Sequence, residues 1–167
     1  MNKDGWTSLL HFEMTGIGKI ENEVNKEIPD WIKITSSPNL LVILQKIQVY
    51  VQEHTLRLGY LLENEQISPI TSHHNIIGIM SRKLHEKLKY CRTQTEKEHC
   101  LMNNIAAISC LKNNFYDECG KIAAQLNLQE AEYFFRMAAE NEARVWKWTT
   151  ESRTPVKETN KNHYLLL

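Results

Sequence analysis

At 167 residues the chain is long enough for one domain with a buried core and short for two. Its 42% hydrophobic and 24% charged residues are ordinary for a globular protein. The 20 basic and 20 acidic side chains cancel, which argues against nucleic-acid or anionic-membrane binding, since both call for a basic excess to neutralise phosphates.

Four long helices and one short one can be read along the chain. The scarcity of helix punctuation, six glycines and four prolines, agrees with that count. The first spans about residues 8–34, with Leu10, Met14, Ile17, Val24, Ile28 and Trp31 in steps of four and three and a gap at Glu21. Pro29 predicts a kink or boundary near its end. The second opens at Ser37 as N-cap with Pro38 in the first helical position, and carries Leu40, Leu44, Ile47, Val51, His54, Leu58 and Leu61. It should end between Glu63 and Gln66, before the turn at Ser68-Pro69. A shorter amphipathic helix, about 74–90, presents Ile76, Ile77, Met80, Leu84 and Leu88. The third long helix follows Arg92 to Gln94 and shows Leu101, Ile105, Ile108, Phe115, Cys119, Ile122 and Leu126, with Lys112 in the vacant place. Asn127 can close it in a left-handed conformation. The last, about 129–150, carries Ala131, Phe135, Ala138, Glu142, Val145 and Thr149, flanked by Phe134, Trp146 and Trp148. Residues 1–151 read as one helical domain, and 152–167 as a polar tail whose end, Tyr164 to Leu167, could dock on a partner.

No apolar run approaches the roughly 18 residues of a transmembrane helix. The segment Met1 to Trp6 lacks the apolar stretch of a secretory leader. Cys91, Cys100, Cys110 and Cys119 form no C-x-x-C pair, so free thiols in a cytoplasmic protein are expected, with disulfides left open by spacing alone. Cys110 and Cys119 read as core-side residues.

One polar residue interrupts each long seam: Glu21, His54, Lys112 and Glu142. Antiparallel packing would bring them to one level, where buried charge must be paired or bound to metal. In helix bundles, Glu and His from facing helices hold dinuclear metal centres. The competing reading is a seam rotated by one position, which would carry these groups to solvent.

Three stretches resemble the ferritin-like YciE/YciF proteins, a bacterial stress-linked family of unknown function. "KIENEVNKEIPDWIKITSSPNLL" is similar to the family's first helix, its Leu-Pro (here Ile28-Pro29) and the Ser-Pro that opens the second. "QEHTLRLGYLLENEQISP" resembles its His followed by Arg-Leu and a loop ending in Pro. "YDECGKIAAQLNLQEAEYFFRMAAENEARVW" resembles its Tyr, its Gln-Leu-Gly turn, with Asn127 replacing Gly, and its Glu-rich last helix. The resemblance covers about residues 9–150 and implies an all-α, ferritin-like antiparallel four-helix bundle with a short extra helix between the second and third long helices. It also implies a dimer in which carboxylates and a His can hold two metal ions.

Carried across, the family's ligand positions fall on Glu21, His54, Glu140 and Glu142. Tyr50 stands where a second-helix Glu is expected, and Cys110 and Lys112 where a His-x-Glu pair is expected. A dinuclear site typically needs four carboxylates and two histidines; a charged Lys offers donors and no lone pair. The expectation is a degenerate site at Glu21, Tyr50, His54, Lys112, Glu140 and Glu142, in which the Lys112 ammonium replaces metal, paired with Glu21 and Glu142 and flanked by His54 and the Tyr50 hydroxyl. No catalytic residue and no cofactor is then expected; if metal does bind, Fe, Mn or Zn is the candidate. The expected role is binding or structure in a homodimer, with a protein or small-molecule partner. The alternatives are residual iron handling or di-iron-type oxidase activity, and a small-molecule carrier with a cavity where metal has gone. Glu96-x-x-His99 has ligand spacing but sits in a first helical turn, where acids suit the dipole. His73-His74 has no third ligand at helical spacing.

Overall fold

The computed structural model describes residues 3–64 and 75–152. They form five helices: α1 (Lys3–Ile34), α2 (Pro38–Asn64), α3 (Ile76–Leu88), α4 (Gln94–Gln125) and α5 (Gln129–Glu151). Among the described residues there is no strand. The Ser68-Pro69 turn, His73-His74 and the tail from Arg153 onward lie outside them.

The seams read from periodicity are the buried faces, with a few corrections. α1 begins at Lys3 rather than Ser8. Asp4 lies in its first turn, where it favours the helix dipole, and Trp6 and Leu9 pack against the core. The helix also runs through Pro29 to Ile34 without the expected boundary. Pro29 itself faces solvent while Ile28 and Trp31 on either side are buried, so packing holds the turn that the missing N–H weakens. In α4 the buried position after Lys112 is Tyr116, and Phe115 is only half-buried. Cys110 is exposed, whereas Cys119 is buried as expected. α4 ends as its sequence suggests: Asn127 has φ 58°, and the N–H groups of Asn127 and Leu128 return to the carbonyls of Ala124 and Ala123.

The helices close into a ring. α1 packs on α2 and α4, α5 packs on α2 and α4, and α3 lies against α1 and α4. Side-chain pairs fix the directions. Thr35 meets Glu98 and Glu21 meets Lys112, so α1 and α4 are antiparallel. Lys46 lies over Trp148 and Arg57 reaches Glu130, so α2 and α5 are antiparallel. The α1–α2 and α4–α5 neighbours are joined by tight turns. It follows that α2 and α4 sit on a diagonal and run the same way, which requires the long connection containing α3.

Side chains cap the N-termini of α2, α3 and α4, whereas α5 starts without one. Asn75 Oδ1 accepts the Gly78 N–H at 2.8 Å at the start of α3. A Cβ on Gly78 would fall 2.2 Å from that oxygen. Thr93 and Glu96 form a capping box on α4, which accounts for Glu96 without any ligand role. For α2, Ser37 Oγ accepts from Leu40 only at 3.5 Å, and the principal cap comes from α4: Glu98 Oε1 accepts the N–H groups of Ser36 and Ser37 at 2.6 and 2.9 Å.

Although burial alone raises it, the Glu98 carboxyl is held below its ordinary range by the Ser36 N–H, Gln94, the Ser37 N–H and the Ser36 hydroxyl. A lowered folded value means that stabilisation is present above the ordinary glutamate range and is lost as pH falls through the folded value. Glu98→Ala should therefore cost about 1–2 kcal/mol at neutral pH in urea denaturation. The difference from the parent protein should shrink on acidification.

Candidate functional site

Glu21, His54, Lys112 and Glu142 meet at one level in the core, at 0, 1, 1 and 2% exposure. Each reaches that point because it occupies a seam position of its helix. Glu21 lies between Ile17 and Val24 on α1, and His54 between Val51 and Leu58 on α2. Lys112 lies between Ile108 and Tyr116 on α4, and Glu142 between Ala138 and Val145 on α5.

The Lys112 ammonium is the hub, with Nζ 2.8 Å from Glu21 Oε2 and 2.6 Å from Glu142 Oε1. The other Glu21 oxygen, Oε1, accepts from the Tyr116 hydroxyl at 2.5 Å and lies 2.9 Å from His54 Nδ1. A carboxylate can only accept there, so Nδ1 carries the proton. His54 Nε2 lies 3.4 Å from Asn141 Nδ2, while Arg144 reaches Asn141 Oδ1, an orientation that leaves Nε2 as acceptor. Tyr116 and Phe134 pack edge-on to the imidazole at centroid distances of 5.1 and 6.2 Å.

Electrostatics separate the two acids. Burial raises the Glu21 carboxyl, but Lys112 and the hydrogen bond from His54 outweigh it and hold it below its ordinary range. Burial also raises Glu142, and the neighbouring Glu21 charge adds to that; Lys112 and His54 do not overcome it, so it stays above. Burial lowers Lys112, yet Glu142 and Glu21 together hold its ammonium above the usual lysine range. Burial and the Glu21 charge push the Tyr116 hydroxyl far up, so it acts as a donor. Two acids thus share one permanent cation, and of the two Glu142 is the more readily protonated.

Two of the positions transferred from the family lie elsewhere. Glu140 is on the surface of α5, 3.7 Å from Arg144. It is two residues from Glu142, a spacing that turns a helical side chain to another face. Tyr50 is half-buried and contributes its ring: it stacks on His54 at 6.2 Å and on Trp148 at 6.4 Å. The hydroxyl in the cluster belongs to Tyr116. Tyr116 and Asn141 were not anticipated as site residues, although the step of four from Lys112 places Tyr116 on the same seam.

Glu21, His54 and Glu142 each offer a ligand atom, all within 4.8 Å of one another. This donor set does not fit a dinuclear centre: it holds two carboxylates and one histidine, and an ammonium stands between the two acids. Lys112, Tyr116 and Phe134 are all buried at this level.

No family profile matches the sequence. No curated protein matches it either. In three dimensions the chain is similar to YcfI from Rhodopseudomonas palustris, described as a presumed structural protein. The TM-score is 0.75 at 15% identity, over 87% of this chain and 92% of that one. This likeness establishes a shared helical fold.

Removing Lys112 leaves two buried carboxylates facing each other. Lys112→Met should destabilise the protein by about 3–5 kcal/mol, and adding Glu21→Gln and Glu142→Gln should recover much of that loss. Chemical denaturation of the single and triple variants measures both; equal stability of the two would mean that Lys112 is not paired with these acids.

Proposed function

We propose that this chain is a ferritin-like bundle of the YciE/YciF kind in which an internal ammonium has taken the place of the metal ions, leaving a binding or structural protein rather than an oxidase. The observation that carries this reading is the Lys112 Nζ position, 2.6 and 2.8 Å from two carboxylates of different helices. The parallel diagonal of α2 and α4, bridged by a connection with its own helix, supports the ferritin-like topology. The presumed structural role of YcfI agrees with a non-catalytic chain.

The second reading, residual metal binding with iron-handling activity, is favoured by the Glu21, His54 and Glu142 ligand atoms lying within 4.8 Å. Metal analysis separates the two. Protein purified without chelator and then exposed to Fe(II), Mn(II) or Zn(II) should retain far less than one ion per chain at this site. Stoichiometric metal lost in Glu21→Gln would overturn the proposal in favour of the second reading.

The same proposal includes a homodimer. Val42, Val49 and Leu56 repeat every seven residues along α2 and are 49, 50 and 75% exposed. Such a one-sided apolar stripe on an exposed helix face is the kind of surface that a second copy can cover. Light scattering should give a dimer mass, and Leu56→Glu should shift it toward monomer with helical content unchanged.

A further inference from the structure

We propose that Cys91 and Cys100 form a reversible dithiol–disulfide couple, with hydroperoxides as the oxidant class. Cys91 lies in the connection after α3, and Cys100 lies near the start of α4. Their Sγ atoms are 3.7 Å apart. Cys91 Sγ is also 3.5 Å from the Lys87 carbonyl, which its thiol can reach as donor. Both thiols are half-buried and line an open cleft of about 740 Å³, together with Tyr90, Thr93, His99 and Met102. A small oxidant therefore has access to two sulfurs that already touch.

The other two thiols serve as contrasts. Cys119 is buried, and burial followed by Glu13 and Glu118 pushes its thiol far above its ordinary range. Cys110 is exposed on α4. Burial, then the hydrogen bond and charge of Cys100 and the charge of Glu96, raise Cys91, so at rest it is held as the thiol.

The chemistry balances in two steps. The sulfur of one cysteine, as thiolate, attacks the terminal peroxide oxygen; the S–O bond forms as the O–O bond breaks, and the departing oxygen takes up a proton and leaves as water when the oxidant is hydrogen peroxide. The second sulfur attacks the resulting sulfenic acid, an S–S bond replaces the S–O bond, and the released hydroxide takes the second thiol's proton. Two thiols lose two electrons, and one peroxide is reduced to two waters. The cross-link spans the α3–α4 turn and fastens the connection to α4.

The test is hydrogen peroxide treatment of the full chain, followed by alkylation and mass mapping without reductant. The expected result is a Cys91–Cys100 linkage in which both thiols are lost one-for-one, reversed by dithiothreitol, with a melting temperature several degrees higher in the oxidised protein. In Cys91→Ser, Cys100 should instead accumulate sulfenic acid that a dimedone probe traps. Full alkylation of Cys91 and Cys100 under conditions that oxidise Cys110 would overturn the proposal. So would cross-linking only between chains.

Discussion

A single ammonium ties together two helices whose backbones do not pack directly on each other. α1 and α5 lie on a diagonal of the bundle, and Lys112 from α4 reaches a carboxylate on each. His54 brings α2 into the same network through Glu21, so all four long helices are joined at one height. The gain in stability from such a cluster is modest, because taking charges out of water offsets most of their attraction. Its physical effect is on register: a helix that slips by one turn leaves a charge unpaired in an apolar core, and that state is expensive. Tyr116 completes the arrangement by occupying the Glu21 oxygen that Lys112 does not.

The fold was largely legible because each seam repeats at helical period and contains one polar interruption. Those interruptions were themselves the strongest signal, since Glu21, His54, Lys112 and Glu142 are all fully buried. What periodicity could not supply was detail within a step. Phe115 and Tyr116 both continue the α4 seam within tolerance, and the more apolar of the two is the less buried. Choosing by hydrophobicity passed over the residue whose hydroxyl the cluster uses. Cys110 failed for a related reason: it lies two residues from Lys112 and therefore on another face of α4.

The positions carried across by resemblance are buried where they lie on a seam and half-buried or exposed where they lie beside one. Glu142 is in the core and Glu140 is in solvent, although both were carried across from the same Glu-rich helix. Tyr50 occupies the position one turn before His54 as expected, yet an aromatic ring there stacks on the imidazole instead of offering an oxygen to it. Nor could sequence reveal that Cys91 and Cys100 touch. Their encounter depends on the shape of the turn between α3 and α4, which periodicity does not encode.

The cap on α2 has a consequence for the order of assembly. The carboxylate that holds the Ser36 and Ser37 N–H groups belongs to Glu98, far along the chain on α4. The α1–α2 hairpin thus lacks its best N-terminal cap until α4 has docked. An early hairpin would fray at the start of α2, and the arrival of α4 would close that end and the core together. Local opening at the start of α2 and loosening of α4 are thereby coupled, which adds cooperativity at this end of the bundle to that at its centre.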